Sequence, residues 1–356
     1  MAMLSHKPLT LSNNSGLVLV TGHTGFKGAW LVMLLHKLGF KTVGISLPPD
    51  LESLYTKLSV DDRPSIEYFA DIRDRARMIK IISDHNFSYA FHLAAQPLVL
   101  ESYKKPIETF ETNVMGTAHI LEALMLQKNL KSIGVVTTDK VYKNDNKSRK
   151  FVENDALGGK DPYSASKVGT ETVVKTWQTL SNLENGPRII SLRAGNVIGG
   201  GDFAPDRLLP DILRSYISEK AIEIRNLEST RPWQHVLDPL TGYVMAVILL
   251  EDKSIGALNF GPAEASLSVA NVIQYAESAW GKPLLKNITE MEQKLEAVTL
   301  ELDSSKAKDV LGWEPALNQE EAIFSTIGWW KKLIQGNSTA SALCHDDTIS
   351  ALNSYL

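Results

Sequence analysis

Tyr163 and Lys167 stand four residues apart in DPYSASK (161–167). That is one helical turn, so a helix opening near Asp161 brings the phenol and the ammonium onto one face. A neighbouring ammonium, joined by a nicotinamide cation, favours the phenolate and lowers its pKa. Tyr163 then becomes a usable base near neutral pH. A second set follows the apolar run 132–136: Thr137, Thr138, Asp139 and Lys140 offer two hydroxyls, a carboxyl and an ammonium in succession. Thr138 can bond a sugar hydroxyl or the Tyr163 oxygen. A third set is Thr21-Gly22-His23-Thr24-Gly25-Phe26-Lys27-Gly28. There Gly22 permits a tight turn, Gly25 lets backbone approach a pyrophosphate, and Gly28 lets helix pack on strand. A helix opening at Phe26 offers free N–H groups and a favourable dipole to phosphates.

These residues need a scaffold, and the first ~195 residues read as one. Apolar runs at 17–21, 41–46, 66–70, 89–94, 132–136 and 188–193 alternate with helical stretches at 26–38, 74–85, 106–129 and 161–180. Such alternation predicts an α/β fold, a parallel sheet covered on both faces and doubly wound by right-handed crossovers. Residues 1–195 are expected to form the dinucleotide-binding domain, completed by part of 231–265. Residues 196–356 are expected to form a smaller substrate domain, interleaved with the first. Pro210 to Glu219 reads as helical, Trp329-Trp330 as packing, and the stretch after Gly336 as a polar tail rich in Ser, Thr, Ala and Asn.

Composition narrows the class. The chain has 356 residues, 44% hydrophobic and 22% charged, with a formal net charge of −4, an ordinary globular make-up. It carries no long basic block, so nucleic acid and polybasic membrane contacts are not expected. One cysteine, Cys344, excludes an intramolecular disulfide or a thiolate cluster and suits a reducing compartment. Met1 to Asn14 lack an apolar leader core and no run of ~18 apolar residues occurs, so the expected compartment is the cytoplasm. The eight histidines lack ligand spacing, and no metal is expected. At the end of the second strand, Ser46-Leu47-Pro48-Pro49 replaces the acid that would hold a ribose, with no arginine nearby for a 2′-phosphate. Local residues therefore leave NAD and NADP open. Asp71 and Ile72 are candidates for the adenine edge, with a helix cap the other reading of Asp71.

The glycine turn with the helix-borne YxxxK resembles the short-chain dehydrogenase/reductase superfamily, in its extended branch acting on nucleotide sugars. Within it, Asp139 followed by Lys140 is similar to the CDP-D-glucose 4,6-dehydratases. So are VTGHTGFKGAWL (20–31), HLAAQPLV (92–99), TNVMGT (112–117), RAGNVIGGGD (193–202), RPWQHVLDPLTGY (231–243) and LDSSKAKDVLGWEP (302–315). One departure is Leu100, where that family carries arginine. The resemblance implies NAD as cofactor, held by Gly22 through Gly28, Asp71, Ile72, Leu93, Ala94, Ala95, Thr137, Tyr163 and Lys167. It implies a catalytic set of Thr138, Asp139, Lys140, Tyr163 and Lys167, acting on CDP-D-glucose or a related nucleotide sugar. Gln96, Asn196 and Arg231 are the implied substrate contacts, to which Arg207 is added for its guanidinium; Arg193 is a further candidate for the diphosphate. A homodimer or dimer of dimers is expected from the helices at 112–129 and 163–180, with Ile120, Leu121, Leu124, Val173 and Trp177 serving core or interface. The alternatives are an epimerase or dehydratase for a GDP-, UDP- or dTDP-linked sugar, and a non-catalytic nucleotide sensor.

Overall fold

A computed structural model describes residues 16–144, 149–224, 226–288 and 300–355; the leader reading for Met1 to Asn14 lies outside them. Seven strands form one sheet: β1 (Leu17–Thr21), β2 (Lys41–Ser46), β3 (Ile66–Phe69), β4 (Phe87–His92), β5 (Ser132–Val136), β6 (Arg188–Ala194) and β7 (Ala257–Phe260). Their spatial order is β3-β2-β1-β4-β5-β6-β7, and every pairing is parallel. The order reverses between β1 and β4, which in such sheets opens a ligand crevice at the carboxyl ends of the strands.

Side-chain alternation along β1 shows why both faces are covered. Val18 and Val20 enter one core with helix α1 (Phe26–Lys37), while Leu19 enters a second core with Val43, Ile45, Ala90, Ile133 and Val135. Helices α2 (Arg75–Ser83), α3 (Thr117–Met125) and α4 (Pro162–Leu183) cover that second face. Ile120, Leu121 and Leu124 are wholly buried there, so they serve the core; Val173 and Trp177 pack against its rim.

Four sequence expectations shift. The fourth strand runs over Phe87–His92 rather than 89–94; the Leu93 amide still reaches the Thr21 carbonyl, and the Ala94 amide turns to the Thr21 hydroxyl. The helix expected over 106–129 ends at Met125 and contains a π-helical stretch, Glu111–Gly116. Within it the Asn113 carbonyl accepts from Thr117 Oγ1 at 2.7 Å and Thr170 Oγ1 at 2.8 Å, which ties the segment to α4. The polar tail is a helix, α7 (Ala340–Tyr355), packed on α1. Ala340, Leu343 and Cys344 recur at three- and four-residue spacing within a polar composition and turn one apolar face inward. Its His345 Nε2 also meets Asp62 Oδ1 at 2.8 Å. Finally, the completion expected from part of 231–265 narrows, in the sheet itself, to β7 (257–260). Helix α5 (Leu208–Ser218) and helix α6 (Gln319–Ile334) lie outside the sheet, and α6 buries Trp329 and Trp330 as packing.

Candidate active site

The glycine turn joins β1 to α1 at the switch point. Gly22 has φ +79°, a conformation glycine adopts without cost, and a Cβ there would lie 2.8 Å from the Ala94 amide. A Cβ on Gly28 would fall 2.1 Å from the Gly22 carbonyl, so helix and strand approach only because both positions are glycine. Thr24 Oγ1 bonds Ser46 Oγ at 2.6 Å and Leu47 O at 3.1 Å, anchoring the turn to the end of β2. His23 turns into the core against Tyr55 and Phe69, where burial lowers its pKa to about 4; its contribution to the turn is its backbone. Gly25 is exposed, Phe26 half-buried. The Lys27 ammonium, on the first turn of α1, is pulled down to about 7 by burial and by Arg207, with Asp139 and Asp202 opposing.

At the end of β4, His92 bridges Thr21 Oγ1 at 2.7 Å and Thr117 Oγ1 at 3.0 Å, and burial holds it neutral at about 3. Leu93, Ala94 and Ala95 follow, half-buried against the glycine turn. Gln96 spends its side-chain amide inside this loop, on Leu98 and on Thr109 Oγ1. Asp71 caps no helix; that role belongs to Asp74, which accepts from the Arg77 amide. The Asp71 carboxylate is instead forked by Arg73, which holds its pKa low. The Ile72 side chain is buried against Gly116.

The end of β5 meets the start of α4. Asp161 caps α4, accepting from the Ser164 amide at 2.9 Å in a reciprocal capping box, and Pro162 fills the first turn. The helix therefore starts where Tyr163 and Lys167 must face the sheet. Lys167 Nζ donates to Val136 O at 3.1 Å, and burial lowers this ammonium to about 8 while Glu171 opposes the shift. Thr138 Oγ1 donates to Asp139 Oδ1 at 2.8 Å and accepts from the Lys140 amide. The Thr138 hydroxyl also acts on the Tyr163 phenol, favouring its ionised form. Burial dominates at Tyr163 and raises it to about 12, with Thr138 and Arg207 pulling downward. The net lowering expected from Lys167 is not found: burial outweighs it, and the ammonium donates to the Val136 carbonyl. Burial likewise raises the Asp139 carboxyl above the ordinary range, against Lys140, Thr138 and Arg231. A carboxyl whose protonated form burial favours is suited to donate a proton, as an acid catalyst must. Lys140 is half-exposed on the next residue.

Arg207 stands at the start of α5, bonded to Asp202 Oδ2 at 3.0 Å, and its charge reaches Tyr163 and Lys27. Asn196 opens a short strand paired with Trp233–His235, and Arg231 lies beside it with its charge felt at Asp139. So Lys27, Thr138, Asp139, Tyr163, Lys167, Arg207 and Arg231 converge. Arg193 does not join them: it is buried in an ion pair with Glu171, Nη2 to Oε2 at 2.7 Å. That corrects its reading as a diphosphate contact. Glu171 was missed, although the spacing Tyr163–Lys167–Glu171 continues one helical face. Among the described residues, no group of three His, Cys, Asp or Glu could hold a metal ion.

The chain matches the GDP-mannose 4,6-dehydratase family over residues 19–326. It is 40% identical over 329 residues to the CDP-glucose 4,6-dehydratase of Salmonella typhimurium, covering 90% of this chain and 91% of that protein. Among solved structures, the UDP-glucose 4-epimerase of Bifidobacterium longum in complex with NAD+ and UDP superposes with a TM-score of 0.78 at 25% identity, covering 90% of this chain and 99% of that one. The Thermotoga maritima UDP-glucose 4-epimerase with UDP-glucose superposes with 0.78 at 23% identity, covering 89% and 99%, which speaks to the fold.

Proposed function

The chain belongs to the GDP-mannose 4,6-dehydratase family, and from that premise we propose that it is an NAD-dependent hydro-lyase converting CDP-D-glucose to CDP-4-keto-6-deoxy-D-glucose. The observation that carries the reading is the buried Asp139, its carboxyl raised by burial and bonded to Thr138, in the cluster that also holds Tyr163. An epimerisation removes no hydroxyl and needs no such acid.

NAD fits the glycine turn: Gly22 and Gly28 let the strand and helix close on each other with no Cβ between them, which sets Gly25 where the backbone can approach a pyrophosphate. Gly22 through Gly28, Leu93 to Ala95, Thr137, Asp71 and Ile72 would hold it, with Tyr163 and Lys167 at its reactive end. Bound there, it supplies the hydride acceptor for C4 and the hydride donor for C6. Tyr163 takes the C4 hydroxyl proton, and Lys167 holds positive charge beside it. The resulting 4-ketone acidifies the C5 hydrogen. Asp139 protonates the C6 hydroxyl as it departs, and Lys140 lies beside it to orient the keto oxygen or take the C5 proton. Arg207, Arg231 and Asn196 take the substrate diphosphate, guanidinium against phosphate; Gln96 holds the loop that carries Ala95.

The half divided near residue 195 carries the cofactor, and residues from 196 onward, apart from β7, carry the sugar nucleotide. Among the described residues no helix is long and apolar enough to cross a membrane. We place the enzyme in the cytoplasm as a homodimer or dimer of dimers. Exposed Ile107 and Met115, with Leu180 on α4, are apolar groups available for such an interface. A panel of CDP-, dTDP-, GDP- and UDP-linked glucose and GDP-mannose tests the reading. Formation of an alkali-absorbing 4-keto product from CDP-glucose in preference is expected. Preferred turnover of another member overturns the nucleotide assignment, and Leu100 in place of arginine makes the comparison informative.

A further inference from the structure

No step of the dehydration uses Glu171, yet it is among the most heavily bonded side chains of the site. Its carboxylate is buried, as is the Arg193 guanidinium. Oε1 accepts from Thr137 Oγ1 at 2.6 Å, Ser191 Oγ at 2.6 Å and Arg193 Nε at 2.9 Å; Oε2 accepts from Arg193 Nη2 at 2.7 Å. A buried carboxylate persists only when paired and hydrogen-bonded to this extent. Arg193 Nη1 donates onward to Tyr142 Oη at 2.9 Å and Glu153 O at 3.0 Å, and Tyr142 Oη donates to Asn259 Oδ1 at 2.7 Å.

The network grips the chain on both sides of the reacting groups. Thr137 immediately precedes Thr138, and Tyr142 immediately follows the turn Asp139–Val141. Glu171 itself is one helical turn beyond Lys167 on α4. The charges around Lys167 sharpen its role. Lys27 faces it from the first turn of α1, a like charge. His92 faces it from the end of β4 and is neutral. Glu171 is the carboxylate that opposes the loss of its proton.

Resting on Tyr163 and Lys167 as the redox pair, we propose that Glu171 is a positioning residue: it locks the helix carrying that pair to the strand end carrying Thr138 and Asp139, and it supplies the anion facing the Lys167 ammonium. The sign of its effect on pH dependence follows. Removing the anion lets Lys167 lose its proton at lower pH, so the alkaline limb of hydride transfer moves down.

The test uses Glu171→Gln in the full, NAD-loaded chain. Single-turnover formation of reduced nicotinamide with CDP-glucose is followed across pH, alongside thermal melting and NAD affinity. NAD affinity should stay within about threefold, while the alkaline limb moves down by roughly one pH unit. The rate above that limb should fall on the order of 10-fold. Glu171→Asp, which keeps the charge, should restore the limb. A folded Glu171→Gln whose limb superposes on the parent overturns the proposal, because a purely structural role lowers melting temperature without moving a titration. Should Glu171→Gln not fold, Glu171→Gln/Arg193→Met removes both charges together and leaves neither stranded; the same shift is expected, and an unmoved limb again overturns the proposal. Lys167→Met separates the layers. Parent-like turnover there sinks the redox-pair reading itself, whereas its collapse beside an unmoved Glu171→Gln limb sinks only the role of Glu171.

Discussion

Replacing Asp139 by Asn isolates the dehydration half of the reaction. The side chain is 3% exposed, and the Thr138 hydroxyl donates to its Oδ1 at 2.8 Å. Asn keeps the shape and presents an oxygen to that hydroxyl, so the structural loss is that of an altered neutral hydrogen bond, about 1 kcal/mol. What Asn cannot do is give a proton to the departing C6 hydroxyl. Removal of a positioned acid costs about 10²–10⁴-fold in rate, which at ~1.36 kcal/mol per decade is about 3–5 kcal/mol. The catalytic loss therefore exceeds the structural one, and the two read out differently. Oxidation at C4 depends on Tyr163 and Lys167 and should continue. Mixed with CDP-glucose, the NAD-loaded variant should accumulate the near-ultraviolet band of reduced nicotinamide and hold it, while the parent shows little. Because Asp139 must be protonated to act, the parent's elimination step should weaken as pH rises through its raised pKa. Dehydration at the parental rate would remove Asp139 as the acid. Absence of the band would move it to substrate binding or hydride transfer.

Three further outcomes are expected. Tyr163→Phe should lose at least ~100-fold in turnover and show no reduced-nicotinamide band, with NAD affinity nearly unchanged by titration calorimetry; unchanged turnover would discard Tyr163 as the base. Gly28→Ala forces a methyl to within 2.1 Å of the Gly22 carbonyl, so NAD affinity should drop and stability should fall by about 1–3 kcal/mol in denaturant melts; parental affinity would show that the turn has slack. Burial raises Asp238 to about 7, so the native state keeps a proton that the unfolded chain gives up near pH 4. Stability should then decline as pH rises between those values, by a few kcal/mol, and Asp238→Asn should flatten that slope; a parental slope in the variant would contradict it.

How much of this architecture the sequence disclosed depends on where each element's partners lie. β1, β2, β5 and the caps around α4 carry their instructions locally, in apolar runs, in Asp161-Pro162 and in glycines with one permitted geometry. Once the six leading strands are recognised, right-handed crossovers predict a doubly wound sheet, but not its strand order. β7 carries no such instruction: ALNF is four residues, and it becomes a strand only by pairing with β6, more than sixty residues earlier. Helix α7 was obscured differently. Its polar composition outweighs a narrow apolar face whose purpose is visible only once α1 stands opposite.

The candidate site divides along the same line. Tyr163 and Lys167 are readable because the role proposed for them needs them one helical turn apart, and a turn is a property of spacing. The environment that tunes them is not. Arg193 has the chemistry of a phosphate ligand, and nothing within its neighbouring residues distinguishes that role from its actual one, a buried pair with Glu171. Nor does any motif state that burial holds Tyr163 near 12 or raises the Asp139 carboxyl. Those shifts come from what the folded chain packs around each group. The same dry surroundings favour the protonated carboxyl and the neutral phenol, and positive charge placed nearer the phenol favours its ionised form. Arg207 already acts on the phenol in that sense, and a nicotinamide cation would add to it. On the roles proposed for this cluster, an oxidised cofactor would favour the Tyr163 phenolate, while burial favours the protonated Asp139 carboxyl. Oxidation at C4 precedes elimination in the proposed chemistry, and these opposite charge demands fit that order.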